Sequence, residues 1–124
     1  MVKANRRQLG QWGESVAAHH LEGLGYKIVA RNWRCARGEF DLVAEAGDIL
    51  VFVEVKTRRG RALGTPEEGV TPAKGRKLLE LAQIYLYQHD LAEIEWRIDV
   101  VAVELDSGGK LLRCDHIPNA ILGW

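Results

Sequence analysis

Nowhere in the 124 residues does an apolar run approach the ~20 residues that a helix needs to cross a bilayer, so a helical membrane span is excluded. The opening segment, MVKANRRQLG, carries basic side chains without a following apolar region, and no secretory leader is expected. Cysteine is scarce: Cys35 and Cys114 stand far apart without C-x-x-C spacing, so a reduced pair in a cytoplasmic protein is the expectation. No G-x-x-x-x-G-K-[ST] occurs, so ATP use is not indicated, and Gly23-Leu24-Gly25 lacks the rest of a dinucleotide fingerprint. His19 and His20 are consecutive and point in different directions, while His89 and His116 have no acidic or cysteine neighbour at ligand spacing. Repeats, low-complexity tracts and linkers are also absent, which leaves a single domain over 1–124.

Present instead is an ordinary globular balance, 47% apolar and 27% charged, enough to bury a core at this length. Net charge is zero but unevenly spread. Residues 1–77 hold 14 Lys/Arg against 9 Asp/Glu, and residues 78–124 hold 3 against 8. A basic half can meet phosphates although the whole is neutral; scattered solvated charge is the plainer reading of the same counts.

Asn5 to Leu24 has helical spacing at Leu9, Trp12, Val16, Leu21 and Leu24, with Asn5 and Gln8 forming a capping-box pattern and Gly25 a stop. Gly10 and Gly13 weaken its first turns. Strands are expected over 26–34, 40–46 and 49–57, the last two joined by a turn at Ala46-Gly47-Asp48, together an antiparallel meander. Residues 59–70 have turn chemistry and read as a mobile loop. Thr71 caps a second helix with Pro72 at its first position, running to about Gln88 with Leu78, Leu81, Ala82, Tyr85 and Leu86 inward. Strands follow over 95–105 and, more weakly, 111–116. The order implies an α/β sandwich around a mixed sheet.

The stretch VFVEVK, residues 51–56, places Glu54 and Lys56 in an otherwise apolar run, where charges are costly unless paired or liganded. Strand alternation puts Leu50, Phe52, Glu54, Lys56 and Arg58 on one face and Val51, Val53, Val55 and Thr57 on the other, the apolar one. With the hairpin turning at Gly47, Asp41 falls opposite the neighbourhood of Glu54. Carboxylates held together repel, and a hard divalent cation such as Mg²⁺ removes the conflict. A lysine beside them suits phosphodiester hydrolysis, whose transition state gathers negative charge on oxygen. Taken alone, Glu-Val-Lys is better read as a plain surface ion pair; register and parity with GEFDL, residues 38–42, favour the site.

Asp41 followed by Glu54-Val55-Lys56 resembles the PD-(D/E)XK signature of restriction-endonuclease-like nucleases, and the αβββαβ order is similar to that superfamily's core, with an extra C-terminal strand. More narrowly, Gly13-Glu14, NWR at 32–34, GEFDL at 38–42, VFVEVK at 51–56, VTPAK at 70–74 and HIPNA at 116–120 resemble the YraN-like bacterial family across essentially the whole chain. The resemblance implies Asp41 and Glu54 as ligands of Mg²⁺ or Mn²⁺, with the Val55 carbonyl as a third oxygen, and Lys56 orienting the attacking water or stabilising charge. It implies Glu14 as an extra acidic residue near the metal, against a solvated helix glutamate. Gln83 and Tyr87 resemble a Gln-x-x-x-Tyr accessory motif, with packing the plainer reading for Tyr87. Phe40 stands where the nominal motif has proline, which donates no ligand.

Arg31, Arg34, Arg37, Arg58, Arg59, Arg61, Lys74, Arg76 and Lys77 are the candidate contacts to a nucleic acid backbone. No base-reading motif appears, so shape rather than sequence is what such contacts would recognise. Trp33 is expected in the core, with base stacking as the alternative. Similarity to Holliday-junction resolvases implies a structure-selective endonuclease on branched or flapped DNA. Two rivals accompany it: a non-catalytic nucleic-acid-binding module with the same fold, and a subunit needing a protein partner. A homodimer is a further expectation, with the C-terminal ILGW as its contact or as a cover for the core.

Overall fold

The structure, a computed structural model, describes residues 5–60 and 64–121. Arg61 and the end of the ILGW segment, residues 122–124, lie outside the described residues. Helix α1 (Arg6–Gly23) leads into strands β1 (Lys27–Cys35), β2 (Gly38–Ala46) and β3 (Ile49–Arg59). A 3₁₀ turn at Glu67–Gly69 precedes helix α2 (Pro72–Gln88), and strands β4 (Trp96–Leu105) and β5 (Leu111–Ile117) complete the chain. The five strands form one sheet in sequence order, antiparallel throughout except for the parallel pair β3–β4. A parallel pair needs a long crossover, and α2 supplies it. The expected αβββαβ order with an added strand is the observed one.

Local chemistry accounts for the helix ends. Asn5 Oδ1 accepts the Gln8 N–H at 2.8 Å while Gln8 Oε1 accepts the Asn5 N–H at 3.0 Å, a complete capping box. Thr71 Oγ1 accepts the Lys74 N–H at 3.2 Å, and Pro72 opens α2 where no amide donor is needed.

The two helices cover opposite faces of the sheet. Ala17, Ala18 and Leu21 of α1 pack on Leu42, Ala44, Val51, Val53, Val101 and Val103. Leu78, Leu81, Ala82 and Tyr85 of α2 pack on Phe40, Val43, Leu50, Phe52 and Ile98. The expectation of a single apolar face on β3 is therefore corrected. The strand is central, its parity is as expected, and both faces are buried down to Val53. Trp33 belongs to this core, stacked on Phe40 and edge-on to Tyr85 with ring centroids 6.3 and 5.3 Å away. The strand also runs two residues further than expected, so Arg58 and Arg59 are strand residues.

Two polar knots hold the C-terminal half. Fully buried Asp99 accepts the Asn119 N–H at 2.9 Å and meets Arg97 Nε at 2.9 Å and His116 Nε2 at 2.6 Å. His116 thus has an acidic partner 17 residues away in the chain, which no local ligand spacing shows. Arg113 of β5 reaches Glu67 through both terminal nitrogens, at 3.1 and 2.8 Å, and Glu104 at 3.0 Å. These bonds pin the Glu67–Gly69 turn inside the segment expected to be a mobile loop. They also hold the Glu67 carboxyl down to about 2. Among the described residues, no helix is long and apolar enough to cross a membrane.

Candidate active site

The site forms where β2 and β3 part. Their ladder covers Ala46–Ile49 to Leu42–Val53 and stops there, while β3 continues to Arg59 paired with β4. Asp41 is the next residue of β2, and its Oδ2 accepts the Val55 N–H at 2.7 Å. A carboxylate thus takes an amide at the point where the strands diverge. Alternation also slips here: Phe40 and Val43 both face α2, while Leu42 and Ala44 face α1. Opposite, Asn32 of β1 has φ 52°, a left-handed conformation that Asn tolerates better than most residues.

Asp41 and Glu54 meet in this gap. Burial, a hydrogen bond to Glu54 and its charge push the Asp41 carboxyl up to about 8, although the Val55 amide pulls the other way. Glu54 is 4% exposed. Its Oε2 lies 3.1 Å from Lys74 Nζ and 3.7 Å from Lys56 Nζ, yet makes no hydrogen bond among the described residues. Lys74 approaches it as a charge, off the hydrogen-bonding direction, and Lys56 stands beyond hydrogen-bonding distance. Glu14 of α1 joins from the other side. Its carboxyl is raised by burial first, then by Glu39 and Glu54, against a hydrogen bond from Asn32 and the charge of Arg31.

A cleft of about 660 Å³ opens beside this group, between Arg6, Leu9, Gly10 and Glu14 on α1 and Val55 to Arg59 of β3 with Gly60 just beyond it. Lys56, Arg58 and Arg59 line it together with Arg6, which the sequence reading passed over because only the helix overhang brings it to β3. Arg34 and Glu39 border a neighbouring cavity of about 340 Å³ that shares Arg6, Gly10 and Glu14.

The other expected residues divide. Lys74 sits on Glu54. Arg34 pairs with Glu39 at 2.8 Å, Arg37 with Glu80 at 2.7 Å and Lys77 with Glu80 at 3.9 Å, so these three already have carboxylate partners. Arg31 and Arg76 are exposed. Gln83 is exposed and stands about 13 Å along the helix from Lys74, away from the carboxylates. Tyr87 is 87% exposed, which overturns its reading as a packing residue.

Among the described residues, no three acidic, histidine or cysteine side chains stand as a ready cage for a metal ion. Two carboxylates forced together, one with a buried oxygen lacking a hydrogen bond, nonetheless form the donor set that a hard cation relieves, and Mg²⁺ commonly takes only one or two carboxylates from protein.

A model of the family described as Uncharacterised protein family UPF0102 matches residues 13–103. The chain is 48% identical over 121 residues to a UPF0102 protein of Roseiflexus castenholzii, covering 97% of this chain and 98% of the relative. It is 52% identical over 114 residues to one of Symbiobacterium thermophilum, covering 92% and 96%. It is 50% identical over 118 residues to one of Chloroflexus aurantiacus, covering 94% of each.

Proposed function

Because the chain belongs to the uncharacterised protein family UPF0102, the family that its motifs resemble, we propose from the chemistry of the site that it is a metal-dependent endonuclease hydrolysing phosphodiester bonds in branched or flapped DNA. The observation that carries this reading is the meeting of Asp41 and Glu54 beside Lys56 at the open edge of β3, next to an arginine-lined cleft.

Asp41, Glu54 and the Val55 carbonyl would hold Mg²⁺ or Mn²⁺. When bound, the cation polarises phosphoryl oxygen and makes water nucleophilic near neutral pH. The protein's own residues do the rest. Lys56 keeps its ammonium beside Glu54, where it orients the attacking water or meets the charge that grows on the phosphoryl oxygens. Glu14 adds a carboxyl on the helix side. Arg6, Arg58 and Arg59 neutralise flanking phosphates, contacts that position the backbone without reading sequence.

The test is a panel of single-stranded, duplex, flap and four-way DNA with Mg²⁺ or Mn²⁺. Wild-type protein should cut, and Asp41→Ala and Lys56→Ala should lose about 100-fold or more of the rate while still binding DNA. Undiminished cleavage by Asp41→Ala would mark a contaminating nuclease and end the assignment.

One observation favours a second reading, a nucleic-acid-binding module that does not cut. Lys74 Nζ stands 3.1 Å from Glu54 Oε2, where it neutralises the carboxylate without a metal. Under this reading no variant cuts. Under the first, Lys74 swings toward phosphate, and Lys74→Ala strengthens metal binding, measured by calorimetry.

A further inference from the structure

Gly10 stands inside α1, where glycine is disfavoured relative to alanine. Neither backbone nor packing asks for it: its φ is not left-handed, and a Cβ there would meet no heavy atom of the described residues within 4 Å. Gly13, one turn on, is the contrast, because its Cβ would collide with Thr57 Oγ1. What Gly10 does is border open space. It lines both the 660 Å³ cleft and the 340 Å³ cavity, and Glu14 lines both with it. A side chain at position 10 would project into the cleft beside Glu14 and Lys56.

A second feature adjoins the same cleft. Trp12 is 39% exposed although it is the largest side chain of α1. With Leu9, Arg59 and Leu105 it lines a groove of about 370 Å³, and Leu9 and Arg59 are shared with the cleft. Arg59 Nε is buried there with no hydrogen-bond partner among the described residues. An open indole, an aliphatic wall and a cation form the usual platform for a nucleobase. A base offers its face to an indole only when it has left a duplex stack.

We infer that the cleft and groove seat one unpaired nucleotide, its sugar–phosphate passing Gly10 toward Glu14 and Lys56 and its base lying on Trp12 beside Arg59. This rests on the nucleic-acid reading of the same site and narrows it: the substrate presents a single-stranded segment, as a flap or an opened branch does. The cleft volume falls within the roughly 300–1,000 Å³ that encloses one ligand of this size.

Binding is measured by fluorescence anisotropy in EDTA, with labelled single-stranded, flap and blunt duplex DNA. The single strand and flap should bind more tightly than the duplex. Trp12→Ala should weaken single-strand binding about 5- to 150-fold, and Trp12→Phe should keep most of it. Gly10→Leu should weaken it at least about tenfold. Gly10→Ala should melt at a higher temperature yet bind less well, while Gly23→Ala, at the far end of the same helix, should melt higher and bind as wild type. Wild-type affinity in Gly10→Leu and Trp12→Ala overturns the inference, as do equal losses for duplex and single strand. Tight, Trp12-dependent binding with no cleavage under Mg²⁺ or Mn²⁺ ends the catalytic reading and leaves this one standing. Cleavage indifferent to Gly10→Leu does the reverse.

Discussion

The Asp41 carboxyl accepts the Val55 amide and meets Glu54 in the same half-buried gap, and its proton affinity follows from that crowding. Raised to about 8, the group favours the folded state while protonated. Without metal, that stabilisation is complete below the ordinary aspartate value of 3.8 and is lost as pH rises through about 8. Asparagine keeps an oxygen for the Val55 amide, offers N–H groups to Glu54 and never ionises. In EDTA, Asp41→Asn should therefore melt above wild type at pH 9, with the gap closing toward pH 4 by calorimetry. A gap independent of pH would contradict the crowding. Asp41, Glu54 and Lys56 were legible in the sequence because a short turn sets Asp41 opposite the neighbourhood of Glu54 and parity puts Glu54 and Lys56 on one face, although alternation in β2 slips at Asp41. Lys74 on Glu54 and Asn32 on Glu14 were not, because each joins elements whose approach no local pattern sets.

At the scale of the element, the two glycines of α1 separate. Sequence propensity treats Gly10 and Gly13 alike, as weak points in a helix. The structure makes Gly13 buried and essential to packing, since the helix lies against Thr57 with no room for a methyl group. Gly13→Ala should cost about 1–3 kcal/mol in urea unfolding by overpacking, and Thr57→Ala in the same chain should recover most of it. Thr57→Ser should recover little, because it keeps the oxygen in the way. The extra length of β3 is a second matter of this scale. The strand was expected to end at Thr57, but the parallel ladder with β4 runs on to hold Arg58 against Glu104 and Arg59 against Leu105. Alternation sends their side chains to opposite faces of the strand, and both residues border the cleft.

Across the whole molecule, the basic side chains sort by what surrounds them. Arg34, Arg37 and Lys77 have carboxylate partners, whereas Arg6, Arg58 and Arg59 line the cleft with Lys56. Four cations meeting a single strand should give a slope of log K on log salt near −3, and Arg59→Ala should reduce its magnitude by about 0.7. Arg37→Ala should leave the slope unchanged. A steeper slope, sensitive to Arg37, would place the strand on the β1–β2 turn instead.

The sequence by itself determined the order of elements, the helix caps, the antiparallel hairpin and the pairing of Asp41 with Glu54. Each depends on dihedral preference, apolar period or a short turn, which act over a few residues. Only the tertiary structure decided that β3 is buried on both faces, that α1 overhangs its free edge to make a cleft, and that Trp12, on the apolar stripe of α1, is left open. Those outcomes depend on how two helices settle on a sheet, where close packing between residues distant in the chain selects one arrangement.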